Sequence, residues 1–561
     1  MDRRTLLAVV LSALVIFAPL FFFRGRGQPA VPAPDTTTAA APASAPATPS
    51  ATAPAGAVPV VGAAAPSPAP RTSDTTAVDF GKTHYTFGTS GAAPQRVVLS
   101  AYRNLGPTTV SQPKALIASG NVAMATPGLL RYRIVRGADT VALDTIPFRA
   151  EHAGDAMTFT STGPVPISLH YQVANDGYVA HVSGQIEGAA AQLLVDLPTT
   201  LLSQESDTLD DQRHLAYGYK LEHEDVKSVA FTKLEPAIVR TDSGPMTWVA
   251  ARNKYFLIAL IAPTPNQFLA LRMQGGQRVG RLAPTASATA VLPIRDGRFG
   301  FDLYAGPQSW AQLHTVGHDL ENVNPYGGWI PGVQPFAAVC MRILLWIRNT
   351  FNVSYGWVLI IFGVGVRLLL WPLNQSAMRS SLKMQRIQPE LAEVQKRYKN
   401  DPEKQREALV KLYQQHGMSP FSPIMGCLPM LLPMPVLFAL FFVFQNTIEF
   451  RGVSFLWLPD LSLHDPYYIT PVLMGATMFL LSWIGMRAAP PNPQTKMMSY
   501  MMPAVMTAVL WKFASGLNLY YAVQNIAALP QQWMITRERM KAAPPAPPPA
   551  PAPLRSRRAT T

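Results

Sequence analysis

Arg367 is the residue whose chemistry is hardest to accommodate. It lies inside Tyr355–Pro372, YGWVLIIFGVGVRLLLWP, an apolar run of 18 residues with Trp or Tyr near each end. That length suits a membrane-spanning helix, and aromatic ends suit the two lipid–water interfaces. A guanidinium cannot be discharged, and near the centre of such a helix it costs about 2.5–3.5 kcal/mol on insertion-based scales. Two readings account for it. The side chain snorkels about one turn to the nearer surface, Pro372 being close by, or it faces a hydrated cavity that the protein keeps open.

Other reactive groups are sparse. No apolar span carries a paired acid and base, and H-E-x-x-H, a P-loop, and Ser–His or Ser–Lys pairs at one depth are absent. Ser515-Gly516 reads as a turn between spans, Lys512 lies within snorkelling reach of an interface, and Glu449 and Arg451 pair in a loop. His84, His152, His170, His181, His214 and His223 have no metal-ligand spacing and read as surface or strand-face residues. The expectation is a non-enzyme without metal or cofactor. An unpaired permanent cation in such a chain points to transient anionic partners.

The elements that carry Arg367 follow from composition and periodicity. Of 561 residues, 48% are hydrophobic and only 14% charged, too apolar for one soluble globule, while the 53 prolines cluster into linkers. With several spans present, a net charge of +14 fits an anionic membrane face, and hence anionic lipids, better than nucleic acid. Cys340 and Cys427 fall at opposite faces, so no disulfide is expected.

Residues 1–23 form an uncleaved transmembrane anchor rather than a signal peptide. Arg24 and Arg26 follow the apolar run at once, and Phe21–Phe23 stands where a small-residue cleavage site would be. Residues 24–74 are a disordered Pro/Ala-rich tether. Residues 75–325 are a large β-sandwich of short strands, among them Arg96–Tyr102, Leu130–Val135, Ile167–Val173, Tyr178–Ile186 and Gln267–Met273. Asn175-Asp176-Gly177 is a hairpin turn, and Glu205–Asp207 with Asp210-Asp211 reads as a solvated loop.

Residues 334–351 form a helix lying in the interface, and 355–373 is the second span. Residues 374–420 are a basic helical hairpin, with nine Lys/Arg against five Asp/Glu. Its seam is Met384, Ile387, Leu391, Val394 and Tyr398, and Asp401-Pro402 opens its second helix. Spans follow at 426–446, 468–486, 498–513 and 515–533, rich in kinking residues such as Pro429, Pro433, Pro435, Pro471 and Pro503. Residues 537–561 are a basic, Pro-rich tail. Six spans put both termini on one side, and the basic hairpin and tail make that side the cytoplasm.

Several of these stretches resemble the YidC membrane-protein insertases. They are GVGVRLLLWPLNQSAMRSSLKMQRIQPEL, LYQQHG, GCLPMLLPMPVLFALFFV, DPYYITPVLMGATMF, MMSYMMPAVMT and SGLNLYYAVQN, with WVAARNKYF (Trp248–Phe256) and LYAGP (Leu303–Pro307) in the outer domain. The resemblance is to the Gram-negative type with a large periplasmic domain. It implies a polytopic α-helical membrane protein of six transmembrane helices, in the bacterial inner membrane, bearing a periplasmic all-β supersandwich domain. It also implies a mobile cytoplasmic coiled coil at the basic hairpin.

Functionally, the resemblance implies a water-filled groove containing Arg367, lined at Gly363, Tyr520 and Tyr521. Beside it would run a hydrophobic slide on the third and fifth spans, from Met430, Leu431, Pro435 and Leu437 to Met502, Pro503 and Met506. Implied partners are nascent membrane proteins, the Sec translocon, the signal-recognition-particle receptor, and the ribosome through the basic tail. The chain departs from the family pattern in SPFSPIMGC before Cys427, in Pro433 where glutamine is usual, and in Gly363 where some members have a small hydroxyl residue. Two alternatives stay open: a foldase or assembly scaffold that translocates nothing, and a small-anion secondary transporter. The latter calls for two repeated halves that the spans do not display.

Overall fold

The computed structural model describes residues 75–541 apart from 107–120, 125–127, 164, 175–176, 189–190, 265–266, 325, 327–332, 373–374, 376–386, 399–400, 416–433 and 488–492. The N-terminal anchor and linker, the end of the tail, and Cys427, Met430 and Leu431 lie outside the described residues. The chain divides into two compact units, Met1–Pro325 with Asn446–Ile448, and Tyr326–Gln445 with Glu449–Thr561.

The first unit is all-β. A four-stranded sheet takes Thr75–Asp79, Thr83–Gly88, Pro94–Arg103 and Asn121–Ala123 in chain order. A 14-stranded sheet has Val239–Arg252, Phe256–Ile261, Arg298–Pro307, Val179–Ile186 and Ile167–Val173 as successive antiparallel neighbours. Phe256–Ile261 is buried at all six positions, as a strand must be when both its faces are covered, so it reads as a continuous apolar run. Gly184 sits opposite Phe299 in the register, and a Cβ there would come within 2.1 Å of that ring, so the glycine makes room for the aromatic. Around Tyr171 an aromatic core gathers Phe87 and Phe159, and its hydroxyl donates to the Ala92 carbonyl at 2.8 Å. Strands expected at Ile167–Val173, Tyr178–Ile186 and Gln267–Met273 appear at Ile167–Val173, Val179–Ile186 and Phe268–Gly275.

The acidic run requires a correction. It is not a solvated loop: Thr208–Arg213 forms a short helix, α1, and both Glu205 and Asp211 are buried. The Lys254 backbone N–H donates to Asp211 Oδ1 at 3.1 Å, Asn253 Nδ2 lies 3.4 Å from Asp211 Oδ2, and Lys254 Nζ donates to Asp210 Oδ2 at 2.9 Å. Asn253 also accepts from the backbone N–H groups of Tyr255 and Phe256 through its side-chain oxygen. Asn253 and Lys254 of the WVAARNKYF stretch are therefore the turn that satisfies α1. A second short helix, α2 (Trp310–Val316), follows the last strand.

The second unit is helical. α3 (Val333–Phe351) and α4 (Tyr355–Leu369) meet at a bend of 118°. α5 (Gln388–Arg397) and α6 (Pro402–Gln415) form the basic hairpin, with the Lys404 N–H donating to Asp401 at 3.2 Å to cap α6. α7 (Met434–Asn446), α8 (Ile469–Met486), α9 (Pro493–Leu510) and α10 (Ser515–Lys541) follow. Among the described residues α8 alone is long and apolar enough to cross a membrane by itself, and α3 with α4 qualifies only as a bent pair. α4 and α7 are 15 and 13 residues long. α9 and α10 carry Lys, amides or proline within their length.

Candidate functional site

Helix α10 organises the site because its polar side chains point inward. Gln524 Nε2 donates to the Gly363 carbonyl of α4 at 2.7 Å and to the Tyr520 hydroxyl at 3.0 Å. Seven residues on, Gln531 is 3% exposed. Its Oε1 accepts from Arg367 Nη2 at 2.9 Å, and its Nε2 donates to the Trp371 carbonyl at 3.1 Å. A second row faces α8, where Asn525 Nδ2 lies 3.3 Å from both the Met474 carbonyl and the Thr477 hydroxyl. Thr536 continues it, donating to the Ile484 carbonyl at 3.3 Å. Spacings of seven and eleven residues, close to two and three whole turns, keep each pair on one face of the helix.

The outer surfaces of the same helices are apolar. Trp357, Ile361, Val364, Leu368 and Leu369 are exposed on α4, Phe479, Leu480 and Trp483 on α8, and Ile526 and Trp533 on α10. Polar inside and apolar outside reverses the soluble pattern, and exposed apolar surface of that extent marks a lipid or protein contact. The Arg487 guanidinium lies 3.8 Å from the Trp483 ring centroid and that of Arg537 3.9 Å from Trp533, giving each helix an aromatic-cationic anchor near its C-terminal end.

Arg367 lies in the last turn of α4, half-buried. Its hydrogen bond among the described residues is to an amide, and its Nε is buried without a partner. Gly363, one turn earlier, is buried against α10, where a Cβ would meet Val523 at 3.1 Å and Tyr520 at 3.5 Å. Tyr520 is buried among Phe362, Phe444 and Tyr521, and Tyr521 is half-buried beside it. The structure thus brings Gly363 and Tyr520 together and sets Arg367 one turn along the same helix. Met502, Pro503 and Met506 lie on α9, where Thr507 donates to the Pro503 carbonyl at 2.8 Å. Pro435 and Leu437 belong to the start of α7.

Gln531, Gln524 and Asn525 escaped the sequence reading. Their signal was present: amides recurring every seven residues in SGLNLYYAVQNIAALPQQW, within an otherwise apolar helix. At the N-terminal end of α10, the Ser515 hydroxyl donates to the Asp460 carbonyl at 3.1 Å and the Gly516 N–H to the Leu461 carbonyl at 3.0 Å. Ser515 is thus committed to holding a turn. Among the described residues no His, Cys, Asp and Glu cluster could hold a metal. Cys340 is a free, buried thiol.

Comparison with known proteins follows the same division. The family described as "60Kd inner membrane protein" matches residues 346–543, and "YidC periplasmic domain" matches 81–337. "Membrane protein insertase YidC" of Chlorobium luteolum is 30% identical over 577 residues, covering 95% of each chain. The protein of that name from Chlorobium phaeovibrioides is 34% identical over 322 residues, 54% of each chain. A solved structure titled "Active YidC insertase crystal structure with the first transmembrane domain resolved" aligns with 82% of this chain and 93% of its own, at 17% identity and a TM-score of 0.34. Matched over nearly its whole length by a relative at that identity, and by both family descriptions in chain order, the chain belongs to the YidC membrane protein insertase family, in its form with a periplasmic domain.

Proposed function

We propose that the protein inserts and helps fold membrane proteins in the bacterial inner membrane. In this reading six helices span the bilayer, both termini are cytoplasmic, and the β unit is a periplasmic supersandwich domain. Nascent membrane proteins are the substrates, and the protein acts on them alone or with the Sec translocon. The signal-recognition-particle receptor and ribosome deliver them, and anionic lipids bind the basic cytoplasmic surface. The names of its relatives support the activity.

The observation that carries the mechanism is Arg367, a permanent cation in an apolar helix whose partner among the described residues is the neutral Gln531. A charge with no acidic partner among the described residues attracts acidic or polar substrate tails, and a hydrated groove around it shortens the apolar barrier that they cross. The substrate's apolar segment then leaves along α7 and α9 into lipid, favoured by about 0.8 kcal/mol per buried CH₂. No nucleotide is required. The test is insertion of single-span substrates with neutral, singly and triply acidic tails into liposomes holding wild type or Arg367→Ala. The deficit of the variant is expected to grow with tail charge. Equal insertion at every tail charge overturns the electrostatic step.

A further inference from the structure

We propose that Gln531 is a positioning residue that fixes the Arg367 guanidinium without neutralising it and so sets the preference for acidic substrate tails. This rests on the reading that Arg367 meets substrate carboxylates. A glutamine amide is both donor and acceptor, and here both ends are used: Oε1 accepts from Arg367 Nη2 at 2.9 Å, and Nε2 donates to the Trp371 carbonyl at 3.1 Å, just past the end of α4. No other uncharged side chain of that length bridges a cation to a carbonyl. Glutamate would accept from Arg367 but could not donate to Trp371, and it would cancel the charge. Leucine or methionine would leave both groups unpaired.

The neighbouring residues hold the amide in place. Gln531 is buried, and it lies one heptad from Gln524, which ties α10 to the Gly363 carbonyl one turn earlier on α4. The two amides fix the register of α10 against α4 around Arg367. With Nη2 held by Gln531, the half-buried guanidinium is kept in one orientation and makes no ion pair among the described residues. The positive charge thus stays available while its orientation is set.

The experiment uses the full chain in liposomes and compares single-span substrates with neutral, singly and triply acidic tails. Arg367→Ala, Gln531→Glu and Gln531→Met are measured beside wild type. Gln531→Glu places a carboxylate at the guanidinium and is expected to lower acidic-tail insertion about tenfold, while neutral-tail insertion changes less than about twofold. The defect should grow from singly to triply acidic tails, a charge dependence that a merely structural role would not produce. Gln531→Met, which removes the bridge without adding charge, should lower the acidic-to-neutral ratio by a smaller factor.

Acidic-tail insertion by Gln531→Glu and Gln531→Met at the wild-type ratio, with Arg367→Ala defective, overturns the positioning role and leaves the arginine reading standing. Equal losses for both tails in both Gln531 variants also overturn it. An Arg367→Ala protein that inserts acidic tails normally overturns both.

Discussion

Raising the pH should weaken the β unit through one carboxylate. Asp211 is 1% exposed, and burial pushes its carboxyl up from the ordinary 3.8 to about 6, against the lowering effect of the Lys254 N–H. Because the folded value lies above the unfolded one, the stability that Asp211 contributes is complete below about 3.8 and is lost as pH rises through about 6. At about 1.4 kcal/mol per unit, the displacement amounts to about 3 kcal/mol. Asp211→Asn has the same shape and cannot ionise. Its amide nitrogen would face Asn253, a cost that does not vary with pH. The quantity to read is therefore the change, between pH 4 and pH 7.5, in the stability difference between variant and wild type. Amide hydrogen exchange of Val239–Arg252 in the full chain, corrected for the intrinsic effect of pH, measures it. The ratio of protection factors, variant to wild type, should rise about a hundredfold across that interval. Parallel pH profiles for the two proteins would refute the assignment of a raised, buried carboxyl.

Substitutions at two further positions probe the helical unit. Gly363→Ala places a methyl 3.1 Å from Val523 and should cost less than about 1 kcal/mol, whereas Gly363→Val must push α10 away, strain the Gln524 hydrogen bond and cost about 1–3 kcal/mol. Thermal unfolding of the full chain in detergent distinguishes them, and a valine variant as stable as wild type would deny the close approach. Asp465 accepts from the backbone N–H groups of Tyr467 at 2.9 Å and Thr470 at 2.7 Å and from the Trp457 indole at 3.2 Å. Asp465→Ala should therefore cost about 2–3 kcal/mol, and Asp465→Asn less, by the same measurement.

Local signals were legible. Alternating burial in Ile167–Val173 follows directly from its residues, and the strand begins and ends where its pattern does. Asp401-Pro402 carries both halves of a helix start, a side-chain acceptor and a residue with no N–H to satisfy, and α6 begins there. The acidic run failed for the opposite reason. Its carboxylates look solvated because their partners, Asn253 and Lys254, lie more than 40 residues away, as the 42- and 43-residue separations of those hydrogen bonds record. Arg367 was conspicuous because charge in an apolar run is costly anywhere. Gln531, 164 residues distant, was inconspicuous because an amide costs far less; its heptad spacing marks a polar face, but its partner is set only by the packing of α10 on α4.

The amides of α10 specify geometry more than they supply stability. In a soluble bundle, positions such as 524, 525 and 531 would be leucine, and exposed positions such as 361, 480 and 526 would be charged. Here the arrangement is inverted, which is favourable only where the surrounding medium is hydrocarbon. In that medium an interhelical hydrogen bond contributes on average about 0.6 kcal/mol, because the separated helices also find partners. Close packing contributes separately, through Gly363 against Val523 and Gly475 against Thr507. Losing one amide bridge should thus cost the bundle little while releasing whatever that bridge orients. That asymmetry makes Gln531 informative: a substitution too mild to unfold the helices removes the only hydrogen bond that the Arg367 side chain makes among the described residues. A change in tail selectivity without a matching loss of thermal stability is then the signature of orientation.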